Sequence, residues 1–180
     1  MDFQLHRLQR LPSGRGIAAY YNNTCIINLN APPGTANRAE REAFFNTELI
    51  DLIPHTPTDL IMAGDFNCVL SNLDCTGHRN SSRTLERLIQ GLGLVDVWGA
   101  SVNRQTYTHY AHTGAARLDR IYVTEDLRRQ KQGMETIAAA FTDHLAVLLR
   151  MAMTTPFIHR GRGIWRMNIS YLNDLPFKTR

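Results

Sequence analysis

Short apolar runs alternate with polar turns along most of the chain, and they predict a protein rich in strands. Residues 16–21 and 24–29 form a predicted β-hairpin, because the link Asn22-Asn23 can supply the positive φ of a tight turn. A buried strand is predicted where four apolar residues precede Gly64. Further predicted strands occupy residues 106–109, 117–123, 134–140 and 145–149.

Two longer segments carry apolar residues at helical spacing. The first begins at Asn37, the expected N-cap, with Glu40 as its capping-box partner, and it ends before Pro54. The second begins after the pair Ser81-Ser82. A short third helix is predicted over residues 124–131.

The stretch from Leu60 to Asn67 carries the first candidate chemistry. Its apolar run leads directly into Asp65 and Asn67, at the carboxyl end of the predicted strand, where open sheets place their functional groups. Carboxylate oxygens and amide carbonyls are the ligands that Mg²⁺ and Ca²⁺ prefer. Aspartate and asparagine are also common turn formers, so a plain turn is an equally good interpretation of this stretch.

Two more polar groups stand at predicted strand ends, Asp119 and the pair Asp143-His144. A carboxylate beside an imidazole suits proton transfer, and Asp119 could hold an imidazole by hydrogen bonding. The alternatives are an ion pair of Asp119 with Arg117 or Arg120, and an ordinary loop histidine at residue 144. Spacing alone does not decide between them.

Composition bounds the class of protein. A chain of 180 residues that is 43% hydrophobic and 20% charged is typical of one globular domain. No apolar run approaches the roughly 20 residues that span a bilayer, and the first residues lack a signal-peptide core. Cys25, Cys68 and Cys75 give no even disulfide framework, so an intracellular, reducing compartment is expected.

The net charge of +4 is confined to the end of the chain. Residues 1–150 balance 15 basic residues against 15 acidic ones, whereas residues 151–180 carry five basic residues and one acid, Asp174. A basic tail can hold a phosphate backbone. A solvated linker is the favoured interpretation.

Three motifs follow one another along the chain: Gly64-Asp-Phe-Asn67, Arg117-Leu-Asp-Arg-Ile-Tyr-Val123 and Thr142-Asp-His144. In this order they resemble the endonuclease/exonuclease/phosphatase superfamily. Within it, the chain is most similar to the apurinic-type endonuclease domain of LINE-like (non-LTR) retrotransposons, as Thr106-Tyr-Thr-His-Tyr110 and Gly161-Arg-Gly-Ile-Trp165 also suggest. The resemblance covers nearly the whole chain.

The resemblance implies an α/β fold, a four-layer αββα sandwich, over residues 1–153. Residues 154–180 would then be a basic linker toward a reverse transcriptase. The implied activity is phosphodiester cleavage that nicks DNA, supported by Mg²⁺ or Mn²⁺. The expected partner is DNA, with no membrane and no small-molecule cofactor, and the expected compartment is the nucleus if genomic DNA is the substrate.

The resemblance also assigns roles to single residues. Asp65 would activate the attacking water with Asn67 beside it, and His144, oriented by Asp119, would meet the scissile phosphate. Asp143 would lie near the metal or the leaving group. Asp65, Asn67 and Asp143 would then form part of the metal site.

The chain departs from the family at two points. Family members open with two strands, the second of which ends in a glutamate metal ligand, and we expect this chain to lack both and to be incomplete at its N-terminus. Asn30 stands where the family has a tyrosine. An inactive retrotransposon relic, at most a weak nucleic-acid binder, is therefore the alternative function.

Other candidate contacts are weaker. Asn30, Arg79 and Arg83 are the candidate nucleic-acid ligands, although a solvated helix face is the favoured interpretation of the arginines. Cys75-Thr-Gly-His78 and His109-Tyr-Ala-His112 could be grouped as a zinc site. Their spacings fit zinc poorly, and scattered loop residues are the favoured interpretation.

Overall fold

A computed structural model describes residues 5–56, 58–77, 80–99, 106–138 and 140–152. Its centre is a six-stranded sheet, flanked by two helices on one face and by a third helix and a two-stranded ladder on the other. The strands are β1 (Leu5–Arg10), β2 (Gly16–Tyr21), β3 (Thr24–Asn30), β4 (Asp59–Asp65), β5 (Val95–Asp96), β6 (His109–Ala111), β7 (Gly114–Ala116), β8 (Asp119–Val123), β9 (Lys131–Ala138) and β10 (Leu145–Met151). The helices are α1 (Arg38–Ala43), α2 (Arg83–Gly91) and α3 (Glu125–Arg129).

The strand order of the central sheet is β1-β2-β3-β4-β8-β5. β3 and β4 run parallel, joined by a helical crossover, whereas β4 and β8 run antiparallel. The register places Asn30 beside Asp65 on one side and Asp119 beside Asp65 on the other. Three polar residues that are distant in sequence are thereby brought to one end of the sheet.

The main hydrophobic core lies between the sheet and the helical segments. Phe45, Leu49 and Leu85 point from the helices onto Ile27 and Met62 of the sheet, and all five are fully buried. The second core lies on the opposite face, where Val123 and Leu127 are buried against side chains of β9 and β10. The mixed α/β fold with one multistranded sheet and few helices confirms the predicted fold class.

The predicted hairpin and the first helix are both confirmed, with differences in detail. Asn22 adopts a φ of 51° in the hairpin turn. The helical path from α1 continues through a π-helical turn (Phe44–Glu48) and a 3₁₀ turn (Leu49–Leu52). The predicted capping box is wrong, because the Asn37 side chain makes no cap and donates instead to the carbonyl of Pro33.

The predicted strand at residues 106–109 is displaced. The ladder forms between β6 and β7, and it begins only at His109. The cause is Thr108, whose hydroxyl accepts hydrogen bonds from the amides of Leu118 and Asp119. The segment around Thr108 therefore holds the start of β8 by hydrogen bonds and does not form a long strand.

A buried ion network fixes β8 in the fold. Arg120 pairs with Asp74 at 2.6 Å and with Asp96, while Arg117 pairs with Asp74 at 3.2 Å and lies 5.0 Å from the ring of Trp98. Both arginines are buried. The proposed ion pair of Asp119 with either arginine is therefore wrong, since both arginines are taken by other carboxylates.

Within the described part of the chain, no helix combines the length and apolar character needed to cross a bilayer.

Gly64 is required where β4 passes β3. Its φ is +137°, and a Cβ built there would lie 1.9 Å from the carbonyl oxygen of Leu29. Gly64→Ala is therefore expected to lower the free energy of unfolding by about 1–3 kcal/mol, from strain and from opening of the β3–β4 pair. Urea unfolding measures this loss. Gly91→Ala is the matched control, because nothing lies within 4 Å of a Cβ at that helical position.

Candidate active site

The turn that follows β4 holds Asp65 and Asn67 together. The Asp65 carboxylate accepts the Asn67 backbone amide at 2.9 Å and the Asn67 side-chain amide at 2.8 Å. Asn67 adopts a φ of 49°, which asparagine tolerates well, and its side chain also donates to the carbonyl of Ala31. The turn is thus present, and it fixes the direction of the Asp65 carboxylate, so the two interpretations of this stretch are compatible.

Asp119 lies at the start of β8, directly opposite Asp65, and contacts His144. Its Oδ2 is 2.8 Å from Nδ1 of His144. The backbone of Asp119 is held by the buried hydroxyl of Thr108. This arrangement leaves Nε2 of His144 as the ring nitrogen that can meet a substrate or a metal.

Asp65, Asp119 and His144 form one cluster. One ligand atom from each lies within 4.8 Å of those of the other two, and all three residues are half-buried. Burial raises the pKa of Asp65, hydrogen bonds from Asn67 oppose this, and the charge of Asp119 raises it further. Asp65 is thus a better proton acceptor than a free aspartate, provided that it is ionised.

The pKa of His144 is raised above its ordinary value of 6.5. Burial alone would lower it, but the hydrogen bond and charge of Asp119, together with the charges of Asp65 and Asp143, outweigh burial. His144 therefore carries its proton over more of the neutral range than a free imidazole does.

Asp143 lies on the other side of His144 and pairs with a second histidine. Its Oδ2 is 3.3 Å from Nε2 of His109, and the rings of His109 and His144 are 4.7 Å apart between centroids. Asp143, His109 and His144 form a second cluster with ligand atoms within 4.8 Å. Sequence spacing groups His109 only with residues that fit zinc poorly, whereas the fold brings it beside His144.

The first cluster fits a hard divalent cation. Asp65 and Asp119 face each other in register across two antiparallel strands, where like charges repel. A divalent cation would relieve this repulsion, and carboxylates with an amide oxygen are suitable ligands for Mg²⁺. Asp65 and Asp119, with Asn67 adjacent, are the described residues that would hold it.

The structure describes only some of the remaining predicted nucleic-acid and zinc ligands. Asn30 is exposed at the end of β3, beside Asp65. Arg83 is exposed at the start of α2. Arg79, His78 and residues 154–180 lie outside the described residues, and with them the predicted tail contacts. Of the zinc constellation, Cys75, His109 and His112 are described, and among the described residues neither Cys75 nor His112 belongs to a cluster of potential metal ligands.

An open cavity of about 380 Å³ adjoins the site end of β3. Arg10 and Arg15 line it together with Asn28 and Asn30. Arg15 contacts the carbonyl of Asn30 at 3.4 Å and the carboxylate of Glu40 at 3.9 Å. The cavity thus brings two guanidinium groups near the strand end that carries Asn30, a feature that sequence patterns did not single out.

Solved structures share this fold. An AP endonuclease from Archaeoglobus fulgidus superposes with a TM-score of 0.70 at 19% identity, covering 83% of this chain and 72% of that one. The 3′ phosphatase NExo from Neisseria, bound to a product DNA hairpin, superposes with a TM-score of 0.62 at 19% identity, over 83% of this chain and 72% of that chain.

Sequence comparison gives the family directly. A transposon TX1 uncharacterized 149 kDa protein of Xenopus laevis is 33% identical over 166 residues, which is 84% of this chain and 12% of that protein. The chain therefore spans about an eighth of this relative. Residues 5–144 match the Endonuclease/Exonuclease/phosphatase family. The predicted family is therefore confirmed: the chain belongs to the endonuclease/exonuclease/phosphatase family.

Proposed function

We propose that this protein is a Mg²⁺-dependent phosphodiesterase that nicks DNA. The observation that carries the proposal is the clustering of Asp65, Asp119 and His144 at one end of the sheet. Two carboxylates in register and an oriented imidazole supply the groups that phosphodiester cleavage needs: a proton acceptor, a cation site and a donor to the phosphate. Mn²⁺ has the same ligand preferences and is expected to substitute.

Each of these side chains has a role that its contacts favour. Ionised Asp65, held by Asn67, accepts the proton of the attacking water. His144, oriented and charged through Asp119, donates from Nε2 to a phosphate oxygen. When bound, Mg²⁺ neutralises charge that develops on the phosphate. Asp143 is exposed at the rim and stabilises the positive charge of His144.

The experiment that tests this function is nicking of supercoiled plasmid by the 180-residue protein. Nicked circles are expected with Mg²⁺ and none with EDTA. Folded, purified protein that leaves the plasmid intact at every Mg²⁺ concentration would contradict the proposal.

The cavity lined by Arg10 and Arg15 supports DNA as the substrate, because guanidinium groups beside Asn30, the strand neighbour of Asp65, can hold the phosphate backbone. Arg15→Ala is expected to weaken binding of a DNA duplex and to reduce the slope of log affinity against log salt by about 1. Fluorescence anisotropy at several salt concentrations measures both. Arg129→Ala removes an exposed arginine of α3 and is the matched control. An unchanged slope in Arg15→Ala would exclude this cavity as a phosphate contact.

One observation favours a second candidate, a catalytically inactive nucleic-acid binder. Among the described residues, no glutamate belongs to either cluster of potential metal ligands. Glu40 lies near Arg15, and Glu42 accepts the backbone amide of Thr84 at the start of α2. Salt-dependent DNA binding without nicking would favour this candidate over the phosphodiesterase.

A further inference from the structure

Two histidines face each other across an antiparallel bridge beside the proposed active site. His109, at the start of β6, pairs with His144, just before β10. Residues opposite each other in such a pair have side chains within direct reach. Their ring centroids are 4.7 Å apart and the rings are tilted by 54°. Asp143 adds a carboxylate from the neighbouring position of the same strand end.

The orientation of His144 is the one that metal-binding histidines adopt. Its Nδ1 is held by Asp119 at 2.8 Å, which leaves Nε2 as the ring nitrogen available to a metal. Metal-ligating histidines almost always donate their other ring nitrogen to a carboxylate or carbonyl, which fixes the tautomer. Asp119 therefore serves as the outer partner of a His144 ligand.

The dimensions of the cluster suit a small tetrahedral ion. Zinc bonds of about 2.0–2.2 Å to nitrogen and oxygen place two tetrahedral ligand atoms about 3.3 Å apart. Nε2 of His109 and Oδ2 of Asp143 are 3.3 Å apart. In the cluster of three residues, one ligand atom of each residue lies within 4.8 Å of those of the other two. The Asp143 side chain is 66% exposed, so it can adjust as the ion is bound.

We propose that His109, Asp143 and His144 form a binding site for Zn²⁺, with water as the fourth ligand. Two imidazoles and one carboxylate are typical zinc ligands with an open position, whereas Mg²⁺ prefers oxygen. The site is distinct from the pair Asp65 and Asp119. His144 is shared, so bound Zn²⁺ removes the imidazole from the phosphate and inhibits nicking. This inhibition rests on the proposed function, whereas zinc binding does not.

The binding test uses Co²⁺, which reports tetrahedral nitrogen and oxygen ligands by its visible absorption, titrated into the full 180-residue protein. The wild type is expected to bind one equivalent, displaced by Zn²⁺. His109→Gln is expected to lower the affinity for Co²⁺ at least about 10-fold. His112→Gln is the matched control, because His112 is exposed in the turn between β6 and β7. Circular dichroism establishes that both variants are folded.

Equal Co²⁺ affinity in the wild type and folded His109→Gln would overturn the proposal, as would a thiolate charge-transfer band, which indicates binding by cysteine. In the plasmid assay, the Zn²⁺ concentration that halves Mg²⁺-supported nicking is expected to rise at least about 10-fold in His109→Gln and to stay unchanged in His112→Gln. If no protein nicks DNA, the proposed phosphodiesterase fails, and the Co²⁺ spectra still decide the zinc site independently.

Discussion

Replacing His144 with glutamine is expected to lower the rate of Mg²⁺-supported plasmid nicking by about 100-fold to 10,000-fold, the contribution of a positioned proton-transfer group. Glutamine can still donate a hydrogen bond, but it carries no positive charge and no transferable proton. The contact with Asp119 at 2.8 Å shows that the imidazole is held rather than free. Initial rates from gel densitometry measure the change.

His55→Gln is the matched control for His144→Gln. His55 is exposed in the connection that precedes β4, and this variant should nick at the wild-type rate. A His144→Gln protein that nicks as fast as His55→Gln would remove His144 from the proposed mechanism.

The pH dependence supplies a second check on the same residue. The pKa of His144 is raised above 6.5, so the protonated form required here is lost only as pH rises through that higher value. Asp119→Asn removes the charge that helps to raise this pKa and leaves Nδ1 of His144 only a weaker, neutral acceptor. The alkaline fall in rate should therefore begin at lower pH in Asp119→Asn. The same raised pKa stabilises the fold below pH 6.5, and this contribution disappears as pH rises through the folded value.

Replacing Arg120 with methionine is expected to lower the free energy of unfolding by about 3–5 kcal/mol, because a buried carboxylate that loses its cation keeps its desolvation cost. Arg120 is 3% exposed and lies between Asp74 and Asp96. Asp74 is itself buried, and in this variant its carboxylate keeps the Arg117 cation, at 3.2 Å, and the backbone amide of Ser71. Urea unfolding followed by tryptophan fluorescence and circular dichroism measures the loss.

Arg150→Met is the matched control for Arg120→Met. Arg150 pairs with Glu135 across β9 and β10, and both side chains are exposed, so its loss should cost under about 1 kcal/mol. Equal stability of the two variants would show that the buried network does not hold β8.

The sequence predicts the part of the candidate site whose contacts lie between residues close together in the chain. Asp65 and Asn67 are two residues apart, and one turn makes both of their hydrogen bonds. An apolar run ending in Gly64 was enough to place them at a strand end. The plain turn and a candidate functional site are compatible interpretations, because the same hydrogen bonds form the turn and direct the Asp65 carboxylate.

Other parts of the site depend on pairings that single-sequence patterns do not contain. Asp119 and His144 are 25 residues apart, and only the family resemblance joined them before the fold was known. The bridge between His109 and His144 arises because Thr108 binds the start of β8 on one side and its carbonyl accepts the amide of Leu145 on the other. The burial of Arg120 is likewise not predicted by the sequence, because its partners Asp74 and Asp96 are distant from it along the chain.

The measurement that tests the account most directly is the initial rate of plasmid nicking with Mg²⁺ by the wild-type protein and by Asp65→Asn. This exchange preserves the size of the side chain and removes its charge. Asp126→Asn, the same exchange at an exposed residue of α3, is the control. We predict EDTA-sensitive nicking by the wild type and by Asp126→Asn, and a rate at least about 100-fold lower for Asp65→Asn. Equal rates for all three proteins would contradict the assignment of the active site.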